Sequence, residues 1–132
     1  MTHTTTELAQ ALVDACKAGR EATHAMQTAI YSPDAVSVEP MAMGPEGAES
    51  VGLAAIQGKG DWWYDNHTVH SLETEGPFVH GDQFTVIFTM DVTGSVGPMA
   101  GQRFQGREVG LYTTSNGQIT REQFFGPPMP AA

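Results

Sequence analysis

The chain has 132 residues, of which 15 are Asp or Glu and 6 are Lys or Arg, and its formal net charge is −9. This length is typical of one domain, and the negative charge disfavours binding to nucleic-acid phosphates and to anionic membrane surfaces. There is no apolar run near the roughly 20 residues of a membrane helix, no signal-peptide pattern, and only one cysteine, Cys16, which we interpret as a small buried hydrophobe. We therefore expect a single cytoplasmic domain with its core over about 5–126 and a tail over 127–132.

The N-terminal third predicts two helices and a short strand. Thr4 and Glu7 have the spacing of a capping box, which begins a helix over about 5–18. A second helix is predicted over about 21–31, because apolar residues recur there on one helical face. Residues 36–39 follow as a short strand that ends directly before a proline.

A loop and a third helix are predicted next. The segment 41–52 is rich in Gly, Pro, Ala and Glu and predicts a loop. Its place directly after a candidate acid suits a flexible lid, and a plain surface connection is the alternative. Residues 53–66 predict a helix, since Ile56, Gly60 and Trp63 recur at helical spacing.

Beyond residue 67 the pattern predicts strands. The first strand ends at Gly76-Pro77, unless Phe78 and Val79 prolong it past a bulge. Asn116-Gly117 is a strong hairpin signal between the last two strands. The predicted strands cover 68–75, 83–93, 102–114 and 118–125. Helix, helix, strand, helix and four antiparallel strands make an α+β domain with the helices on one side of a curved sheet.

The strand over 83–93 has the clearest period-two alternation in the chain, and its two faces are expected to differ in role. One face carries large apolar side chains and faces the core. The opposite sheet face is half apolar and would be exposed in a monomer, so we expect a homodimer that buries it. That outer face comprises Thr85, Ile87, Thr89, Val109 and Leu111.

Glu39 and Glu108 are the candidate catalytic residues. A Glu at the mouth of an apolar cavity would have a raised pKa, as a general base requires. The alternative for Glu39 is a solvent-facing acid or an ion pair with Arg103 or Arg107. Glu108 shares a strand face with two glycines that leave room for a ligand or a helix, and a cross-strand pair with an Arg is its alternative.

Further residues are candidates for lining a pocket that holds a hydrophobic small molecule. For the last strand, the sequence leaves open whether Glu122 or Gln123 faces inward. The candidate ligand-binding residues are Met26, Trp63, Phe84, Phe88, Met90, Tyr112 and Glu122. His67 and His70 would face opposite sides of a strand, and the chain has no metal or nucleotide motif, so we expect neither a metal nor a cofactor.

Three segments carry a resemblance to a known family: Asp34-Ala35 leading into Val38-Glu39-Pro40, the strand Phe84-Thr85-Val86-Ile87-Phe88, and the hairpin from Gly110-Leu111-Tyr112 to Asn116-Gly117-Gln118-Ile119. With these, residues 8–125 resemble the SnoaL-like branch of the nuclear transport factor 2-like superfamily. The resemblance implies a cone-shaped α+β domain, a nuclear transport factor 2-like or cystatin-like roll, which usually forms homodimers.

The resemblance also implies roles for three acids. Ketosteroid isomerases of this superfamily use an acid directly before a proline as general base, and Glu39 matches it. They use a protonated acid on the strand before the last hairpin in the oxyanion hole, and Glu108 lies there. Leu12 stands near their tyrosine donor and departs from the pattern, because it cannot donate a hydrogen bond. SnoaL-type polyketide cyclases use an acid on a late strand, for which Glu122 is the nearest candidate.

Two hypotheses for the function follow. In the first, the protein is a cofactor-independent isomerase or cyclase: Glu39 removes a proton next to a carbonyl, and Glu108, with Tyr112 or a histidine, stabilises the oxyanion. In the second, the same fold is a non-catalytic module that holds a metabolite or presents a surface to a partner protein.

Overall fold

The computed structural model describes residues 2–42, 44–97 and 100–127. Within these ranges, no helix has both the length and the apolar composition needed to span a membrane. The tail from residue 128 onward lies outside the described residues. The described elements are α1 Thr5–Ala18, α2 Arg20–Ile30, β1 Tyr31–Val38, a 3-10 turn Gly44–Glu46, β2 Glu49–Val51, α3 Leu53–Asp65, β3 His67–His80, β4 Gln83–Gly94, β5 Arg103–Ser115 and β6 Gln118–Phe125.

The strands of the described residues form one curved, unclosed sheet in the order β2-β1-β6-β5-β4-β3. This confirms the predicted α+β class. Two expectations were wrong in part. The sheet is not antiparallel throughout, because β1 pairs with β6 in parallel. The predicted loop contains β2, which pairs with Val36–Val38 of β1 and is too short for an alternating pattern to reveal it.

Local chain signals determine where α1 begins and where the last hairpin turns. Thr4 Oγ1 accepts the backbone N–H of Glu7 at 3.1 Å, and the Glu7 carboxylate accepts the N–H of Thr4 at 2.9 Å, so the predicted capping box is confirmed. Asn116 and Gly117 have φ of 53° and 75°, the two positive values that a tight hairpin turn requires.

The bulge in β3 is also confirmed. Glu75 lies opposite Ile87 and Phe78 opposite Thr85, so two residues of β3 face one residue of β4 between these pairs. The strand therefore continues to His80 past the Gly-Pro step, as one of the two sequence interpretations proposed.

The core lies between the helices and the concave face of the sheet. Leu8 and Leu12 of α1 are 1% exposed and pack with inward side chains of β4, including Val86 at 0%. The outer face has no covering element among the described residues, and Phe78 and Phe125 on it are 56% and 47% exposed. The helices are thus on one side of the sheet, as predicted.

Tyr112 occupies the space that Gly110 leaves on the concave face. A Cβ at Gly110 would lie 2.7 Å from the Tyr112 ring, whereas at Gly106, on the same face of β5, the nearest atom would be 3.9 Å away. The sequence left open whether these glycines admit a ligand or a helix. At Gly110, the space is filled by the side chain of Tyr112 and not by a helix or a ligand.

We expect Gly110→Ala to lower the free energy of unfolding by about 1–3 kcal/mol, because the methyl group forces Tyr112 out of place. Gly106→Ala is the matched control and should leave stability unchanged or slightly higher. Urea unfolding of both variants checks this, and equal effects at the two positions would contradict it.

Candidate active site

A cavity of about 200 Å³ opens between the three helices and the concave face of the sheet. Its walls are mainly apolar, and its polar groups gather near the ends of β1 and β6. The apolar lining includes Leu12, Met26, Ile56, Trp63, Leu72, Phe88, Met90 and Phe124. The charged lining consists of Glu39, Lys59, Glu108 and Glu122.

The carboxylate of Glu122 is the most buried acid of the cavity. Parallel pairing of β1 with β6 places Ser37 directly beside it. The Ser37 hydroxyl donates to Oε2 of Glu122 at 2.7 Å, and the Tyr31 hydroxyl donates to Oε1. Glu122 is 4% exposed, so these donors replace the water that its carboxylate loses on burial.

Lys59 is the cation of this cluster. It lies on α3, one turn after Ile56, and its side chain is only 10% exposed. Its Nζ donates to Glu39 Oε1 at 2.9 Å and to the Ser37 hydroxyl, and it lies 3.9 Å from Glu122 Oε2. Glu39 is therefore held in an ion pair with 13% of its side chain exposed.

Glu108 faces the same cavity from β5 but has no hydrogen bond or ion pair within the part of the chain that the structure describes. Burial, and after it the negative charges of Glu39 and Glu122, raise the pKa of its carboxyl to about 7, while the positive charge of Lys59 acts in the opposite direction. Glu108 is thus a buried carboxyl that gains and loses a proton near neutral pH.

The other titratable groups of the lining are uncharged at neutral pH. Burial raises the pKa of the Cys16 thiol to about 12, which supports its interpretation as a small hydrophobe rather than a nucleophile. Burial also raises the pKa of Tyr31 and of Tyr112 well above the ordinary value. Tyr31 and Tyr112 can therefore act as hydrogen-bond donors.

Most of the sequence-predicted site residues lie around this cavity, and one does not. The exception is Phe84, which is 1% exposed and stacks under Tyr112 with ring centroids 4.8 Å apart, so its expected ligand contact is wrong. The sequence could not separate Glu122 from Gln123. Glu122 faces the cavity, while Gln123 lies opposite Leu111 on the outer face. The residues that do line the cavity are Met26, Glu39, Trp63, Phe88, Met90, Glu108, Tyr112 and Glu122.

The arginines considered as partners for the two acids lie on the other side of the sheet. Arg103 pairs with Asp91 at 2.8 Å and Arg107 with Glu75 at 3.2 Å. Alternate residues of a strand point to opposite faces, so the odd-numbered positions of β5 cannot reach Glu108. The cross-strand alternative for Glu108 was therefore wrong.

Sequence reasoning missed Lys59, Ser37 and Tyr31. Lys59 had a detectable signal: it is the only Lys or Arg between Arg20 and Arg103, and it follows the apolar Ile56 by three residues in a helix. A lone cation on the apolar face of a helix indicates a buried anionic partner. Ser37 had no such signal, because its contact with Glu122 depends on pairing between strands distant in the sequence.

The two histidines considered for a metal site do not line the cavity. The ring of His67 stacks on that of Trp63 with centroids 4.7 Å apart, and Nδ1 of His67 hydrogen-bonds the backbone carbonyl of Trp63 at 2.7 Å. His70 hydrogen-bonds the Thr93 hydroxyl at 2.7 Å. Within 2–42, 44–97 and 100–127, no three His, Cys, Asp or Glu are grouped as a metal site would require. The ring of Trp62 lies against Gly44, so the segment after Glu39 is packed on α3 at this point.

The model of the SnoaL-like domain family matches residues 3–126. A Mesorhizobium loti protein, described as a candidate SnoaL-like polyketide cyclase and also as a carbohydrate phosphatase, is 38% identical, with a TM-score of 0.82 over 93% of this chain and 99% of that one. A Xanthomonas campestris protein of unknown function with a cystatin-like fold is 17% identical, with a TM-score of 0.75 over 96% and 92%. Among curated proteins, none matches.

A third solved structure, of a Catenulispora acidiphila protein, has a ketosteroid isomerase-like fold and was determined in complex with trimethylamine. It is 22% identical, with a TM-score of 0.69 over 92% of this chain and 86% of that one. At such identity, it and the Xanthomonas protein bear on the fold alone. They confirm the cystatin-like fold class expected from the sequence.

The raised pKa of Glu108 makes stability depend on pH. Folding raises this pKa from 4.5 to about 7, so the native protein binds more protons than the unfolded chain between these values and loses stability as the pH rises through them. Glu108→Gln should therefore be more stable than wild type by an amount that grows over this interval to about 3 kcal/mol.

Denaturant unfolding at several pH values from 4 to 8 measures this difference. The control is Glu73→Gln on the exposed face of β3, for which no such trend is expected. A stability difference between Glu108→Gln and wild type that stays constant with pH would contradict the assignment.

Proposed function

The chain belongs to the SnoaL-like domain family, and we propose that it binds a small hydrophobic carbonyl compound and transfers a proton at the carbon next to the carbonyl. The observation that carries the proposal is the position of Glu108: a carboxyl without a protein partner among the described residues, in an apolar cavity, with a pKa of about 7. A general acid or base works best when its pKa lies near the operating pH.

In this proposal Glu108 removes the proton next to the carbonyl and leaves an enolate. If Glu108 returns the proton at another position, the reaction is an isomerisation. If the enolate attacks a second carbonyl, the reaction is an aldol-type cyclisation. The roles expected from the sequence are thereby exchanged. Oε1 of Glu39 accepts a hydrogen bond from Lys59 Nζ at 2.9 Å, whereas Glu108 has no such partner among the described residues. Tyr112 lines the same cavity, and because its raised pKa keeps the hydroxyl protonated, it is suited to stabilise the oxyanion.

The size of the cavity limits the substrate. About 200 Å³ is below the usual 300–1,000 Å³ of small-molecule pockets, so the cavity suits a compound of one or two rings. Leu12 lies in the lining near the position of the tyrosine donor of ketosteroid isomerases and cannot donate a hydrogen bond. Both features argue for a smaller substrate than a steroid.

The second candidate function is binding without catalysis. The side chains of Lys59, Glu39 and Glu122 form an ion pair and hydrogen bonds within the protein and not with an incoming ligand. Polar groups that are satisfied in this way favour a site that only holds its ligand. The trimethylamine complex of the Catenulispora protein is a precedent for a bound small molecule on this fold. Solvent-deuterium exchange into bound compounds separates the two functions. A cytoplasmic location stays a prediction from the sequence.

We also propose that two copies of the chain pair through the outer face of the sheet. Strand register aligns Ile87, Val109 and Phe125 across β4, β5 and β6, and Phe125 is 47% exposed. The ion pairs Arg103–Asp91 and Arg107–Glu75 lie on the same face, so an apolar centre has polar surroundings, as protein interfaces do.

Sedimentation at micromolar concentration should give a dimer for wild type and a monomer for Val109→Glu, because the substitution places a charge at the centre of the apolar row. Ala11→Glu, on the exposed side of α1, is the control and should remain dimeric. A monomeric wild type would contradict the pairing.

The catalytic proposal predicts solvent-deuterium incorporation into one- and two-ring ketones and enones. Glu108→Gln should reduce the exchange rate by about 100-fold or more, the usual range for loss of a general base. Glu73→Gln is the control for removal of an acidic group and should exchange at the wild-type rate.

Two outcomes would count against the assignment. If Glu39→Gln abolishes exchange and Glu108→Gln retains it, the base is Glu39, as the sequence first indicated. If wild type binds panel compounds tightly but exchanges none of them, the function is binding without proton transfer.

A further inference from the structure

Lys59 is the cation of the cavity and is surrounded by three acids. Its Nζ lies 2.9 Å from Glu39 and 3.9 Å from Glu122, and its charge also acts on Glu108. Lys is rarely buried without a partner, and here only 10% of the side chain is exposed. A residue with these contacts affects every charge in the cavity.

The hydrogen bonds through Ser37 have a defined direction. An ammonium has donors and no acceptor, so the contact between Lys59 and Ser37 requires the hydroxyl oxygen to accept. The Ser37 hydrogen then points to Glu122, 2.7 Å away, and Tyr31 donates to the other oxygen of the same carboxyl. Glu122 thus receives two donors, which favours its ionised form.

We propose that Lys59 is a positioning residue that holds Glu39 and Glu122 as carboxylates and so leaves Glu108 as the acid of this cavity that exchanges a proton with the ligand. The exchange itself rests on the proposed function. The arrangement of charge does not, because it depends only on contacts within the protein.

The charge around Glu108 depends on the titratable groups that line the cavity. Strand β3, strand β4 and helix α2 contribute no titratable side chain to the lining. The titratable groups that face Glu108 are Cys16 of α1, Lys59 and Tyr64 of α3, Tyr31 of β1 with Glu39 after it, Tyr112 of β5 and Glu122 of β6. The thiol and the three phenols are neutral at pH 7, so Lys59 and the two other acids determine the charge around Glu108.

A covalent role for Lys59 fits these contacts poorly. Imine formation with a ketone needs the neutral amine, and two carboxylates within 4 Å of Nζ stabilise the ammonium instead. Arginine can replace a charge-positioning lysine but cannot form an imine, so Lys59→Arg distinguishes the two roles.

The test is a carboxyl ¹³C NMR titration of Glu-labelled protein, without ligand, for wild type, Lys59→Arg and Lys59→Gln. Glu39→Gln, Glu108→Gln and Glu122→Gln assign the three resonances. In wild type and Lys59→Arg, only the Glu108 resonance should shift between pH 6 and 8. In Lys59→Gln, Glu39 or Glu122 should shift in that interval as well.

An unchanged pattern in Lys59→Gln would overturn the proposal. If Lys59→Gln does not fold, the titration of wild type is sufficient as a test. A Glu39 or Glu122 resonance of wild type that shifts between pH 6 and 8 would also overturn the proposal. Borohydride treatment with cyclohexanone should leave the mass of Lys59 peptides unchanged, and an adduct would assign Lys59 a covalent role instead. Because the titration uses no substrate, failure to find deuterium exchange would count against the proposed function and not against the role of Lys59.

Discussion

The ion pair between Lys59 and Glu39, with its continuation through Ser37 to Glu122, is the interaction on which the cavity depends. A charge buried without a partner costs several kcal/mol, and this apolar cavity contains three acids. Lys59 and the two hydroxyl donors of β1 compensate two of them. The third, Glu108, has no such partner among the described residues and responds to its burial through its pKa instead.

The fold places these groups together by means of long-range pairing. Parallel pairing of β1 with β6 puts Ser37 beside Glu122, and α3 crosses above them so that Lys59 reaches both Ser37 and Glu39. The concave face of β5 contributes Glu108 and, over Gly110, the ring of Tyr112. Apolar side chains of the helices, among them Leu12, Met26 and Ile56, complete the cavity around these charges, and apolar surroundings strengthen the interactions between charges.

Local signals account for what the sequence could predict. The capping box of α1, the alternation of β4 and the Asn-Gly turn each involve residues close in the chain, and all were confirmed. Glu108 was placed on the pocket because strand periodicity determines which face a residue joins, and Glu39 because it is the acid directly before Pro40. The sequence carries a signal that Lys59 is buried with an acid, but it does not identify Glu39 as that acid, since the two residues are 20 positions apart on different elements. Phe84 was misplaced because periodicity gives its face but not the ring of Tyr112 that covers it.

Neutron diffraction from crystals grown in deuterated buffer at pH 6 would test the central claim most directly, because it locates each exchangeable hydrogen in the cavity. The account predicts a deuterium on the Glu108 carboxyl, three on Lys59 Nζ, and none on Glu39 or Glu122. The Ser37 deuterium should point to Glu122. A neutral Lys59, or a deuterium on Glu122 with Glu108 ionised, would contradict the proposed division between two fixed carboxylates and one acid that exchanges its proton.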